Sequence, residues 1–228
     1  MFKSIIKIGA ATILFAVIHS SLASRYAKTT VTEIFGENNR NGLYRPIYNS
    51  IAVISFGALV IFGLKLPNRQ LYKIPKPFSL LTLFIQACFL FYLVNGAKQI
   101  GFVKFSGITN LIRWFTGQSV IEPEPEGQGP VIDVNDEIKA TGPFRTTRHP
   151  LNFGMLPILW LMPEMTVNLA TFNILTTFYL IIGSIHEEIR LKESYGNAYI
   201  KYQKSGINFF VPMQTKVTKL LKLNNLLN

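Results

Sequence analysis

The 228-residue chain predicts an all-α fold, a polytopic integral membrane bundle, and three observations carry that prediction. Hydrophobic residues make up 49% of the chain and charged residues 15%, a balance suited to lipid. Ile5 to Ala23, Ile47 to Leu66 and Phe78 to Val94 are nearly uncharged runs of 19, 20 and 17 residues, close to the ~20 that a helix needs to cross ~30 Å of hydrocarbon. A fourth apolar stretch, Leu151 to Ile185, holds one acidic side chain, Glu164, and no Lys or Arg.

The first run, with Lys3 before it and Ala23-Ser24 at its end, also fits a signal peptide. Its length exceeds a usual h-region, and the later runs keep the chain in the membrane either way. Within the fourth stretch, Leu151 to Met162 would give about 18 Å of helix, whereas Val167 to Ile185 is long enough to cross. The prediction is a tilted or partly inserted hairpin turning at Met162-Pro163-Glu164, which puts residues 95–150 and the tail after 185 on one side.

With three spans before the hairpin, residues 24–46, 95–150 and 186–228 share that side and hold 17 of the 23 Lys and Arg. The positive-inside rule then places them in the cytoplasm and the N-terminus outside. The net charge of +11 comes without any nucleic-acid motif, so its partner is expected to be anionic lipid headgroups and not nucleic acid. The single Cys88 lies in the third run and is read as packing. No zinc spacing and no Gly-x-Gly-x-x-Gly is present, which excludes a metal site of that kind and a dinucleotide fold.

Four segments organise the chain. Residues 1–120 carry the first helices and, from Lys98 to Phe115, an amphipathic interfacial helix suited to lining a substrate entrance. Residues 121–141 connect, and their Pro, Gly and acidic residues up to 137 forbid regular structure. Residues 142–212 form the functional core, and 213–228 a basic tail. Past Ile185 the helical pattern continues, with Glu188, Tyr195, Tyr199 and Tyr202 on one stripe; a break at Gly196 would make that stripe accidental.

Two charged clusters bracket the fourth stretch. Arg145 and Arg148-His149-Pro150 offer guanidinium groups, a titratable imidazole and a ring that fixes the chain direction at the hairpin start. Glu187-Glu188 follow the apolar stretch, where acidic residues run against the usual basic flank. The plain alternative is that the arginines anchor to headgroups and Arg190 and Lys192 compensate the glutamates. Together, cation and anion suit a zwitterionic amino-acid moiety such as that of S-adenosylmethionine, with an apolar acceptor arriving from the bilayer.

The motif Gly142-Pro143-Phe144-Arg145-x-x-Arg148-His149-Pro150-Leu151-x-x-Gly154, followed by Glu187-Glu188-x-x-Leu191-x-x-x-Tyr195-Gly196-x-x-Tyr199-x-x-Tyr202 and Val211-Pro212, resembles the isoprenylcysteine carboxyl methyltransferase and phospholipid methyltransferase superfamily of membrane enzymes. Leu159 to Val167 and Tyr179 to Gly183 are most similar to its methanethiol S-methyltransferase branch. His19 to Ser24 and Tyr44 to Asn49 are similar to that branch and to NnrU-type proteins.

The resemblance implies a methyltransferase with S-adenosyl-L-methionine as cofactor in a cytoplasmic pocket. Gly142, Arg145, Arg148, His149, Pro150, Gly154, Glu187, Glu188, Tyr199 and Tyr202 would bind the donor, and Arg148, His149 and Glu188 would serve catalysis, with His149 or a glutamate taking the acceptor's proton. The acceptor is expected to be a small or lipid-soluble molecule, a thiol first, with a prenyl-cysteine carboxylate or amine lipid as alternatives, because Gln99 to Trp114 does not reproduce the branch's pattern. Two other readings stand beside it: a haem protein like the NnrU-related carotenoid isomerases, ligated by His19 with His149 or His186, and a membrane partner without enzymatic activity.

Overall fold

The computed structural model describes residues 1–120, 129–133 and 137–212. Most of the expected 121–137 loop and the whole basic tail lie outside the described residues. Among the described residues, four helices are long and apolar enough to cross a membrane: α1 (Phe2–Ala23), α3 (Glu37–Lys65), α4 (Phe78–Ile100) and α8 (Val167–Lys204). Their outward side chains are large and apolar, with Val53, Phe84 and Phe91 all exposed. In lipid that exposure carries no hydrophobic penalty, and each helix satisfies its own backbone. The chain is therefore an all-α polytopic membrane protein.

Residues 24–46 are more ordered than a loop. Ser24 Oγ accepts from the Ala27 amide at 3.2 Å and caps α2 (Arg25–Phe35), and Gly36, at φ 81°, separates that helix from α3. The α3 helix thus starts ten residues before its apolar run. At the same end, α4 stops at Gly101 (φ 96°), and two short helices follow, α5 (Phe102–Ser106) and α6 (Ile108–Phe115). Trp114 of α6 lies over Gly42 of α3, where a Cβ would meet the indole at 2.7 Å. Ile108, Ile112 and Phe115 stay exposed on the opposite face, as expected of an interfacial helix.

At the far end, β1 (Gln70–Lys73) pairs antiparallel with β2 (Glu164–Thr166), a ribbon that local pattern did not announce. It ties the α3–α4 connection to the hairpin turn, with the Ile74 amide donating to the Pro163 carbonyl at 2.8 Å. The two connections therefore share one side, as the span count requires.

Helix α7 (Pro150–Trp160) has 11 residues, about 16 Å, and ends short of a full crossing. Carbonyls left open at such an end are costly inside a membrane. Neighbouring helices supply the missing donors: Gln86 Nε2 of α4 donates to the Ile158 carbonyl and Asn173 Nδ2 of α8 to the Leu159 carbonyl, both at 2.7 Å. Small residues bring α7 against α4. A Cβ on Gly154 would lie 2.7 Å from Leu93, and one on Gly96 would lie 3.0 Å from Leu151.

Candidate active site

Residues preceding α7 form a tight turn, a 3-10 helix over Gly142–Arg145 with Gly142 at φ 46° and its start beside Gln99 of α4. Thr141 Oγ1 donates to Gln99 Oε1 at 3.0 Å, and the Tyr92 hydroxyl meets Thr146 Oγ1 at 2.6 Å. Pro150 then opens α7, where its missing amide costs nothing. The turn therefore presents Arg148 and His149 to α8 at the depth where α8 leaves the membrane, since Val167 to Glu188 spans about 32 Å of helix.

Arg148 Nε donates to Glu188 Oε1 at 2.8 Å and Nη2 to Glu188 Oε2 at 3.4 Å, while Nη1 donates to the Ile207 carbonyl at 2.6 Å. His149 lies between both glutamates, Nδ1 at 3.1 Å from Glu187 Oε2 and Nε2 at 3.0 Å from Glu188 Oε1, with a side chain 1% exposed. Two carboxylates on two ring nitrogens call for two N–H donors, which is the imidazolium form. Burial opposes that charge, but the hydrogen bonds to Glu187 and Glu188 outweigh it and raise the His149 pKa above its usual value.

Glu188 is the hub. Besides Arg148 and His149 it accepts from the Tyr199 hydroxyl at 2.8 Å and from Gln203 Nε2. Burial would push its carboxyl up, yet the hydrogen bonds from His149, Arg148 and Tyr199 prevail and hold it down to about 2. Burial also raises the phenols of Tyr199 and Tyr202, which remain neutral donors. The Tyr202 hydroxyl donates to the Phe144 carbonyl at 2.8 Å, closing the helix over the turn.

Those last contacts depend on Gly196. A straight helix would carry residue 199 about 16 Å beyond residue 188. Gly196, at φ 54° and ψ −131°, interrupts the helix, and the following turns fold back so that Tyr199 and Gln203 reach Glu188. The expected straight stripe from Glu188 to Tyr202 is corrected accordingly: the tyrosines meet the cluster because the helix breaks.

No protein-family model and no solved structure matches the chain. Among curated proteins, a methanethiol S-methyltransferase of Pseudomonas deceptionensis is 40% identical over 62 residues, 27% of this chain and 24% of that protein. Another, from Pseudomonas sp. (strain GM41(2012)), is 37% identical over 73 residues, 32% of this chain and 28% of its own length. Methanethiol S-methyltransferase 1 of Bradyrhizobium diazoefficiens aligns with 90% of this chain over 208 residues at 24% identity. All three of these relatives are named methanethiol S-methyltransferase. The aligned region covers 65% of the Bradyrhizobium methanethiol S-methyltransferase, so the relation to these enzymes spans nearly the whole of this chain but only part of theirs.

Beside that relationship, the placement of the individual residues divides them. Arg148, His149, Glu187, Glu188 and Tyr199 converge, with Tyr202 one turn behind and Pro150 buried at the α7 start. Arg145 is exposed and Gly154 packs against α4, both apart from the cluster. Gln203, the Ile207 carbonyl and Thr147 belong to the same network and were not anticipated. Thr147 Oγ1 donates to the Phe209 carbonyl at 3.0 Å, and the Arg148 amide to the Asn208 carbonyl at 2.9 Å, stapling the turn to the segment after α8. Only the adjacency of Gln203 to Tyr202 could have drawn notice to it.

Elsewhere, His19 Nε2 lies 2.7 Å from the Tyr48 hydroxyl, and His186 is exposed. Both ring nitrogens of His149 face carboxylates, so this residue does not fit an axial haem ligand. Among the described residues no group of three or more His, Cys, Asp or Glu side chains is placed to hold a metal ion.

Proposed function

We propose that the chain transfers a methyl group from S-adenosylmethionine to a small or lipid-soluble nucleophile, a thiol of the methanethiol kind, at the cytoplasmic face of the membrane. The observation that carries this reading is the convergence of one guanidinium, one imidazole and two carboxylates from the two ends of a membrane hairpin. The names of the related enzymes support methyl transfer, and they favour a thiol as the acceptor.

The residues present fit the donor's charges. Its ammonium matches Glu187 and Glu188, and its carboxylate matches Arg148, at the cost of exchanging contacts these groups now make with one another. When bound, S-adenosylmethionine would supply an electrophilic methyl group to the acceptor in its thiolate form, the thiol proton having gone to water, with the sulfonium carbon–sulfur bond breaking as the new one forms and S-adenosylhomocysteine leaving. The chain's own residues bind and orient: Arg148 and the glutamates hold the amino-acid end, and Tyr199 and Tyr202 cover it. His149, held as a cation between two carboxylates, fixes Glu187 and Glu188 in place; this role replaces the expectation that it takes the acceptor's proton. Alignment of nucleophile and methyl group, in a site screened from water, then supplies most of the acceleration.

The test is turnover by the purified full chain in detergent or nanodiscs, with methyl-labelled donor and methanethiol, reading labelled dimethyl sulfide. Saturable formation of that product is expected. Absence of labelled product with methanethiol, alongside labelling of a prenyl-cysteine or amine lipid, would replace the thiol, and absence with every acceptor would overturn methyl transfer.

A further inference from the structure

A cavity of about 430 Å³ opens between α2, α3 and α6, away from the charged cluster, and Phe35, Asn39, Leu43, Tyr48, Ile51 and Trp114 are among the residues lining it. That volume lies within the range of small-molecule sites, and the lining is almost wholly apolar. Phe35 and Ile51 are themselves exposed, and Ile51 lies in the apolar run of α3, so the cavity opens beside the membrane-crossing part of that helix.

Its mouth has the marks of a headgroup level. Trp114 Nε1 donates to Asn39 Oδ1 at 2.8 Å, an indole held at the boundary between apolar lining and polar rim. The Arg45 guanidinium lies 5.7 Å from the ring of Tyr48, a lining residue, and Arg113 precedes Trp114 in α6, whereas Arg40 donates from Nη1 to the buried Asn41 Oδ1 at 2.7 Å. Residues 24–46 and 95–120, which build this end of the bundle, contain seven Lys and Arg against two acids, Glu33 and Glu37. Basic pockets between membrane helices on one face are the setting in which anionic lipid headgroups are recognised.

We propose that this cavity is a site for an anionic phospholipid, one acyl chain lying against Leu43, Tyr48 and Ile51 and the phosphate at the rim near Arg45 and Arg113. An apolar cleft open to the bilayer takes a chain, and the charge of the rim selects the head. The bound lipid pins α2 and α6 to α3. The site stands apart from the methyl-transfer reading, and neither depends on the other.

The protein has two tryptophans, so in a Trp160→Phe background fluorescence reports on Trp114 alone. Reconstituted full chain is titrated with brominated-chain phosphatidylglycerol and, separately, brominated-chain phosphatidylcholine. Stronger quenching by phosphatidylglycerol at equal lipid fraction is expected, with about a fivefold loss of that preference for each arginine removed in Arg45→Gln and Arg113→Gln. Equal quenching by both lipids, or an undiminished preference in both variants, overturns the headgroup site. Native mass spectrometry adds the occupant: one phosphatidylglycerol retained per chain is expected and is lost on cavity filling by Leu43→Phe or, should that variant fail to fold, Ile51→Phe. Retention of free oleate in place of phospholipid, or full phosphatidylglycerol retention in a folded cavity-filled variant, sinks the proposal.

Discussion

Removing Glu188 tests the network most severely, because one carboxylate there accepts hydrogen bonds from Arg148, His149, Tyr199 and Gln203. The side chains of Arg148 and His149 are 13% and 1% exposed, so Glu188→Ala leaves two nearly buried cations with Glu187 as the remaining nearby carboxylate. Breaking a buried ion pair from one side costs about 3–5 kcal/mol. Glu188→Gln keeps the shape and some of the hydrogen bonds and should cost less, about 1–3 kcal/mol. The assay is thermal unfolding of the purified protein in one detergent, where the Ala variant should melt on the order of 10 °C lower. A double-mutant cycle with Tyr199→Phe separates the hydroxyl's share, since the two residues touch and should not act additively. If Glu188→Ala unfolded within about 0.5 kcal/mol of the parent, a change typical of an unremarkable surface position, the network would not be holding the C-terminal helix to the turn.

Stability should follow pH on both sides of a plateau. The His149 contribution, from a raised pKa, is complete below its unfolded value of 6.5 and is lost as pH rises through the folded value. The Glu188 contribution is complete above 4.5 and is lost as pH falls toward about 2, so melting temperature against pH should be flat between these limits and fall outside them. In His149→Gln the alkaline fall should shrink; an unchanged profile would remove His149 as its source. Gln86→Leu and Asn173→Leu, which uncap the last carbonyls of α7, should each cost about 1–3 kcal/mol in the same unfolding assay. Gly196→Ala forces a Cβ onto φ 54° and should cost about 1–3 kcal/mol while weakening donor affinity, measured by calorimetry, because Tyr199 and Gln203 lose their reach.

The spans were legible because membrane thickness sets a length that composition alone can meet, and the turn at Met162-Pro163-Glu164 because polar and cyclic residues interrupt an apolar run. The pairing of residues 70–73 with 164–166 was not, since strand partners some ninety residues apart leave no local period. Within the site, the opposite charges of Arg148 and Glu188 could be read from their positions at the hairpin ends. Their direct contact could not, because it depends on how α7 packs beside α8, and the reach of Tyr199 and Gln203 to Glu188 depends in turn on a break at Gly196 whose direction only tertiary structure fixes. Gly154 shows the reverse limit: a small residue in a motif suits close approach, and whether to a ligand or to Leu93 is decided by what α4 places opposite it.

Donor affinity is the most direct measurement of the central claim. Calorimetric titration of the purified full chain with S-adenosylmethionine should give saturable one-site binding, reduced at least tenfold in Arg148→Lys and in Glu187→Gln while both variants keep a cooperative melting transition. Absent binding by the parent protein, or equal affinity in both folded variants, would contradict the assignment of this charged cluster to the methyl donor.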